Sequence, residues 1–214
     1  MKYKCIIFDC DGVLVDSESI SSGVLTQMAN ELGIEISHDE ALENFTGKSL
    51  QYSLKYIETK YGGLLPNDFE RQFRQQSFEQ FALHLQPING IHQLLNHLTI
   101  PFCVASSGPS EKIIRNLTTT NLIQHFEGKI FSSYDIQSWK PEPDIFLHAA
   151  KSMGFEVHEC IVIEDSQTGI QAAQSGGFVV IGFVNDGNTE RFQNENIPIC
   201  FSMNELHLLL SKTH

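Results

Sequence analysis

Positive charge is scarce in this chain: 14 lysines and arginines stand against 26 aspartates and glutamates, a formal net charge of −12. So acidic a composition argues against nucleic acid as a partner, because neutralising a phosphate backbone takes a basic surface. Long apolar runs are lacking too. No segment approaches the roughly 18 residues of a membrane span, and the N-terminal apolar run is broken by Asp9 and Asp11, unlike a signal peptide. The expected location is therefore the cytoplasm, with no membrane partner. Cysteines are few and scattered. Cys5, Cys10, Cys103, Cys160 and Cys200 show no metal-ligand spacing, and four of them sit in strand-like apolar runs. They read as reduced core filler rather than a disulfide framework. Internal repeats and low-complexity tails are missing. With 214 residues and 41% hydrophobic content, the chain can build a substantial core in one domain, or in one domain with an insert.

The most informative stretch is Lys4 to Glu18, where Asp9 and Asp11 terminate an apolar run that otherwise reads as a buried strand. Buried carboxylates are costly unless paired, usually with a metal. Alternating positions aim two side chains and one backbone carbonyl around a point beyond the strand end. A calcium loop is the first competitor, but it requires another Asp or Asn before the glycine and polar ligands after it. Val13, Leu14 and Val15 follow instead. A plain strand-ending turn is the second, since Asp and Gly are ordinary turn residues.

Three further signatures follow in order, each after another apolar run: Ser106-Ser107-Gly108, then Trp139-Lys140-Pro141-Glu142-Pro143, then Glu164-Asp165-Ser166 leading into Gln167 to Ala173. With these motifs in this order, the chain resembles the haloacid dehalogenase (HAD) superfamily of phosphohydrolases over most of its length. That resemblance implies a Mg²⁺-dependent enzyme acting on a small phosphorylated metabolite. Asp9 is then the nucleophile, able to take the phosphoryl group as an aspartyl-phosphate. Asp11 is the general acid and base, with its backbone carbonyl on the metal. Asp165 is the distal metal ligand and Glu164 a direct or water-mediated one, although a Glu-Asp pair here also reads as a helix N-terminal cap. Ser106 and the Ser107 N–H are expected to hold phosphoryl oxygens, and Lys140 to hold nucleophile and phosphate together.

Alternating short apolar runs and amphipathic stretches indicate an α/β fold with a doubly wound parallel sheet. Strands are expected at Lys4–Asp9, Phe102–Ser106, Lys129–Ser132, Cys160–Glu164, Phe178–Val184 and Ile199–Phe201, which puts the motifs at carboxyl ends of strands. Residues 16–85 show only helical periodicity, including a Ser37/Glu40 capping box, and are too long for an ordinary crossover. They are expected to form an inserted all-helical cap, with residues 1–15 and 86–214 as the catalytic core.

Within the superfamily the chain is most similar to 6-phosphogluconate phosphatases, through Ser106–Pro109, through Phe131 to Pro141 and through the leader Leu14 to Glu18. β-Phosphoglucomutases come next, since Glu164 to Ala172 nearly reproduces their run. The basic anchors that grip a second phosphate in those mutases are missing from Thr46-Gly47-Lys48-Ser49-Leu50 and from Ser106-Ser107-Gly108-Pro109. A phosphatase for a sugar or sugar-acid phosphate is therefore the expected activity, with a mutase, or a non-catalytic sugar-phosphate sensor, as alternatives. Gly47 and Lys48, in a loop between two cap helices, are the expected readers of the far end of the substrate.

Overall fold

The computed structural model describes residues 3–45, 50–185, 189, 192 and 195–212. In chain order, β1 (Cys5–Phe8) precedes four helices, α1 (Glu18–Glu31), α2 (His38–Phe45), α3 (Leu50–Tyr61) and α4 (Phe69–His84). Then come α5 (Ile91–His97), β2 (Phe102–Ser106), α6 (Ser110–Thr119), β3 (Ile130–Ser132), a single turn α7 (Ser133–Ile136) and α8 (Asp144–Met153). The chain closes with β4 (Cys160–Glu164), α9 (Gln167–Ser175), β5 (Val179–Phe183), β6 (Ile199–Cys200) and α10 (Met203–Lys212). Two compact units result, one from Met1–Asp16 with Gln86–His214 and the other from Ser17–Leu85.

The first unit holds a parallel sheet of order β3-β2-β1-β4-β5-β6. Strands β1, β2 and β4 are buried along their whole length, as parallel strands covered on both faces must be. Cys5 and Ile7 join Phe146, Ala149 and Ile170 in a core on one face, while on the other Phe8 meets Phe102 edge-on at 6.0 Å. The expected strands are all present, β2 and β4 with the expected bounds and the other four shortened at their ends. Asp9 still donates its N–H to the Ile163 carbonyl at 3.0 Å before the chain turns away. With β2 on one side of β1 and β4 on the other, the strand order reverses at β1. A crevice opens at the carboxyl ends of strands at such a point.

Helices are the only regular elements among the described residues of the second unit. Its core joins Val24, Leu25, Met28 and Ala29 of α1 to Ile57 of α3 and to Phe69 and Phe73 of α4, the faces that the helical periodicity marks. The Ser37/Glu40 capping box forms only in part. Ser37 Oγ accepts the Glu40 N–H at 3.2 Å, but the Glu40 carboxylate turns to the Tyr56 hydroxyl and the Lys60 ammonium instead. A charged partner outcompetes a backbone N–H for the carboxylate. In the first unit, the segments that lead out to these helices and back lie side by side, with Asp16 N–H on the Gln86 carbonyl at 2.9 Å and Ile88 N–H on the Leu14 carbonyl at 3.0 Å. All five cysteines are buried and free. Among the described residues no helix is long and apolar enough to cross a membrane.

Separate cores predict separable stabilities. Ile57, with no exposed surface, should cost about 2–5 kcal/mol when truncated to alanine. Hydrogen exchange read by mass spectrometry should show the lost protection within residues 17–85, with β1 and β4 still protected.

Candidate active site

Strands β1 and β4 run in register, Phe8 beside Ile163, so the residues just past them meet at one point. Asp9, Glu164 and Asp165 each place a carboxylate oxygen there, all within 4.8 Å of one another. All three are buried, at 6%, 1% and 5% exposure. Mutual repulsion at this distance in a low dielectric would be severe. Lys140, from the loop before α8, offsets it: its ammonium lies 2.6 Å from Asp9 Oδ1 and 2.6 Å from Glu164 Oε1. The ammonium also sits 4.8 Å from the centre of the Phe146 ring. Burial pushes the Asp9 carboxyl up to about 7; Lys140 pulls it down and Glu164 adds to the rise. For Lys140 burial acts to lower the pKa, yet the two carboxylates hold it above the ordinary lysine range.

Capping does not account for Glu164 and Asp165. Ser166 is the N-cap of α9, its Oγ accepting the Gly169 N–H at 3.1 Å. Glu164 Oε2 accepts the Ser166 N–H at 2.7 Å, so both oxygens of this glutamate already have partners. Two glycines that the sequence reading passed over allow the crowding. A Cβ on Gly12, whose φ is +80°, would lie 1.9 Å from Asp165 Oδ2, and one on Gly169 would lie 1.8 Å from Glu164 Oε1. Only a residue without a Cβ admits such approach. A buried, all-oxygen cluster of this kind has the donor chemistry of a hard divalent cation site.

Asp11 sits in a tight loop, bridged to Val15, and its carboxylate points to α6. Lys112 Nζ is 2.7 Å from Asp11 Oδ2 and Asn116 Nδ2 is 3.4 Å from Oδ1. Sequence reading missed both; their spacing of four, on the α6 face that also carries buried Ile113 and Leu117, was the available signal. The buried Ser106 hydroxyl ends β2 and accepts the Gly108 N–H at 3.1 Å, with Ser107 between them. Ser132 Oγ donates to the Gly108 carbonyl at 2.7 Å, tying this loop to the segment that runs on to Tyr134 and Trp139. Gly47 and Lys48 lie outside the described residues.

A carboxylate set against a lysine, a second carboxylate two residues on, and a cation-ready acidic cluster can together move a phosphoryl group. The pattern of haloacid dehalogenase-like hydrolases matches residues 6–183. The chain belongs to that family. It is 33% identical over 206 residues to the 6-phosphogluconate phosphatase of Escherichia coli (strain K12), covering 96% of this chain and 93% of that one. The β-phosphoglucomutase of Bacillus subtilis (strain 168) is 30% identical over 192 residues, covering 84% of this chain and 82% of the other. Among solved structures, a haloacid dehalogenase-like protein of Agrobacterium tumefaciens str. C58 superposes with a TM-score of 0.90 at 31% identity, over 98% of both chains. The hydrolase is thus similar in sequence to relatives named for more than one activity.

The electrostatics of this hydrolase yield a stability prediction. Asp9 binds a proton in the folded state up to about pH 7 that the unfolded chain releases near its ordinary 3.8. Its contribution to metal-free stability is therefore present below pH 4 and is lost as pH rises toward 7. Lys140→Met removes the compensating charge and should cost about 3–5 kcal/mol, more at pH 8 than at pH 5. Urea unfolding of both proteins without divalent metal, at the two pH values, measures the difference.

Proposed function

We propose that this hydrolase is a Mg²⁺-dependent phosphatase for a small sugar or sugar-acid phosphate. The observation that carries the reading is the Asp9 carboxylate held by Lys140 beside a cluster of acidic oxygens. Asp9, the Asp11 carbonyl, Asp165 and Glu164 would hold Mg²⁺, which when bound neutralises charge on the phosphoryl oxygens. Asp9 attacks phosphorus, an Asp9 O–P bond forms and the P–O bond to the sugar breaks. Asp11 gives the departing alkoxide its proton. In the second half Asp11 takes a proton from a water, whose oxygen attacks the phosphorus of the aspartyl-phosphate. Inorganic phosphate leaves, and Asp9 is a carboxylate again. Lys140 keeps Asp9 oriented throughout, and Ser106 with the Ser107 N–H receives phosphoryl oxygens as they flatten.

The similarity to the 6-phosphogluconate phosphatase supports a sugar-acid phosphate as substrate, and the 17–85 unit is then the cap that selects it, with Lys48 as a reader of the distal carboxylate. A mutase is the second reading, favoured by the similarity to β-phosphoglucomutase. A second phosphate needs a dedicated cationic grip, which Gly108 and Pro109 do not supply. A pure sensor has no use for a nucleophile and an acid together.

Turnover of 6-phosphogluconate with Mg²⁺, lost in Asp9→Asn, is the expected result. Bisphosphate-primed conversion of β-glucose 1-phosphate to glucose 6-phosphate faster than phosphate release would replace this reading with the mutase. Binding is measured separately from activity. Saturating Mg²⁺, at about 100 times its Kd, should stabilise the folded protein by about 2.7 kcal/mol. Thermal unfolding should show that gain in the native protein and little of it in Asp165→Ala.

A further inference from the structure

We infer that Lys112 and Asn116 act as a positioning clamp for the Asp11 carboxylate, an inference that rests on the reading of Asp11 as general acid and base. The two side chains stand one helical turn apart on α6 and reach the two oxygens of one carboxylate, Lys112 at Oδ2 (2.7 Å) and Asn116 at Oδ1 (3.4 Å). Residues four apart on a helix share a face, so the pair acts as one rigid unit. That unit is anchored. Helix α6 begins directly after the Ser106–Pro109 loop, and the place where a Gly108 Cβ would stand is 3.5 Å from both Lys112 Cδ and Ser106 Oγ. The clamp and the phosphate loop are therefore built from one piece of backbone.

Asn116 shows what the arrangement costs. It is 1% exposed, and among the described residues its Oδ1 has no hydrogen-bond partner. An orphaned buried acceptor is unfavourable, yet the alternative amide orientation would set oxygen against the Asp11 carboxylate. Asn116 gives up its own acceptor to aim a donor at Asp11. Lys112 is three-quarters buried at its side chain and lies in the first turn of α6, where the helix dipole disfavours a cation. Its ion pair with Asp11 outweighs that placement. Catalysis by a general acid falls steeply when its carboxyl drifts from the leaving oxygen, so a mobile Asp11 would serve poorly in a loop.

The test uses kcat/KM, which spans the steps through departure of the leaving group. An alkoxide leaving group needs the proton from Asp11, whereas a p-nitrophenolate barely does. Lys112→Met should lose roughly tenfold or more on 6-phosphogluconate, within the roughly 100- to 10,000-fold share of general acid catalysis. On p-nitrophenyl phosphate it should lose less than about threefold, and Lys112→Arg should recover most of the difference. Sorbitol 6-phosphate has the same leaving group without the carboxylate, and it should suffer as much as 6-phosphogluconate. Equal losses on the alkyl and aryl substrates, or no loss on either, would overturn the clamp. So would a loss on 6-phosphogluconate that spares sorbitol 6-phosphate, since Lys112 would then be binding the substrate carboxylate. Asp11→Asn measured beside them separates the two layers: without a selective loss on alkyl substrates in that variant, the acid reading of Asp11 falls first. Lys112→Gln decides the matter if the methionine variant does not fold.

Discussion

The Lys140 ammonium, set between Asp9 and Glu164 with Asp165 close by, is the interaction on which the rest of the molecule depends. Carboxylates brought this near one another and out of water would not remain charged without compensation. Everything nearby accommodates that arrangement. Gly12 and Gly169 vacate the volume a Cβ would take, Ser166 assumes the cap of α9 and a second bond to Glu164, and Phe146 backs the ammonium with its ring. A Cβ at either glycine would bring a steric clash, and loss of the ammonium would leave buried charge uncompensated.

The sheet explains why such a cluster can exist at all. A parallel sheet presents the ends of neighbouring strands to one edge, and reversal of strand order at β1 leaves a gap between the helices above it. Asp9 and Glu164 are separated by more than 150 positions in the chain, yet the pairing of Phe8 with Ile163 makes them neighbours. The same scaffold serves relatives named as a phosphatase and as a mutase. A shared scaffold therefore leaves the choice of activity to the groups built on it.

Much of this was legible beforehand. Strands β1, β2 and β4 ran as apolar segments ended by polar motif residues, so burial on both faces and the position of the acids at the strand ends followed from pattern alone. The helical periodicity of residues 16–85 was equally plain. The capping of α2 was legible only in part, because Glu40 chose Lys60 and Tyr56, partners 20 and 16 positions away that no local motif reveals. Lys112 and Asn116 went unseen for a related reason. They look like a surface lysine and an ordinary helix asparagine until α6 is laid against the loop that carries Asp11.

By itself, then, the order of residues determined the parallel α/β sheet, the helical insert and the identity of the acids at the strand ends, because hydrophobic periodicity and turn chemistry act over a few residues. Tertiary structure alone decided which charge neutralises which. Lys140 between Asp9 and Glu164, and Lys112 on Asp11, are pairings across 24 to 131 positions. Coulomb attraction and desolvation depend on distance in space and on burial, and neither is written in the spacing of residues along the chain.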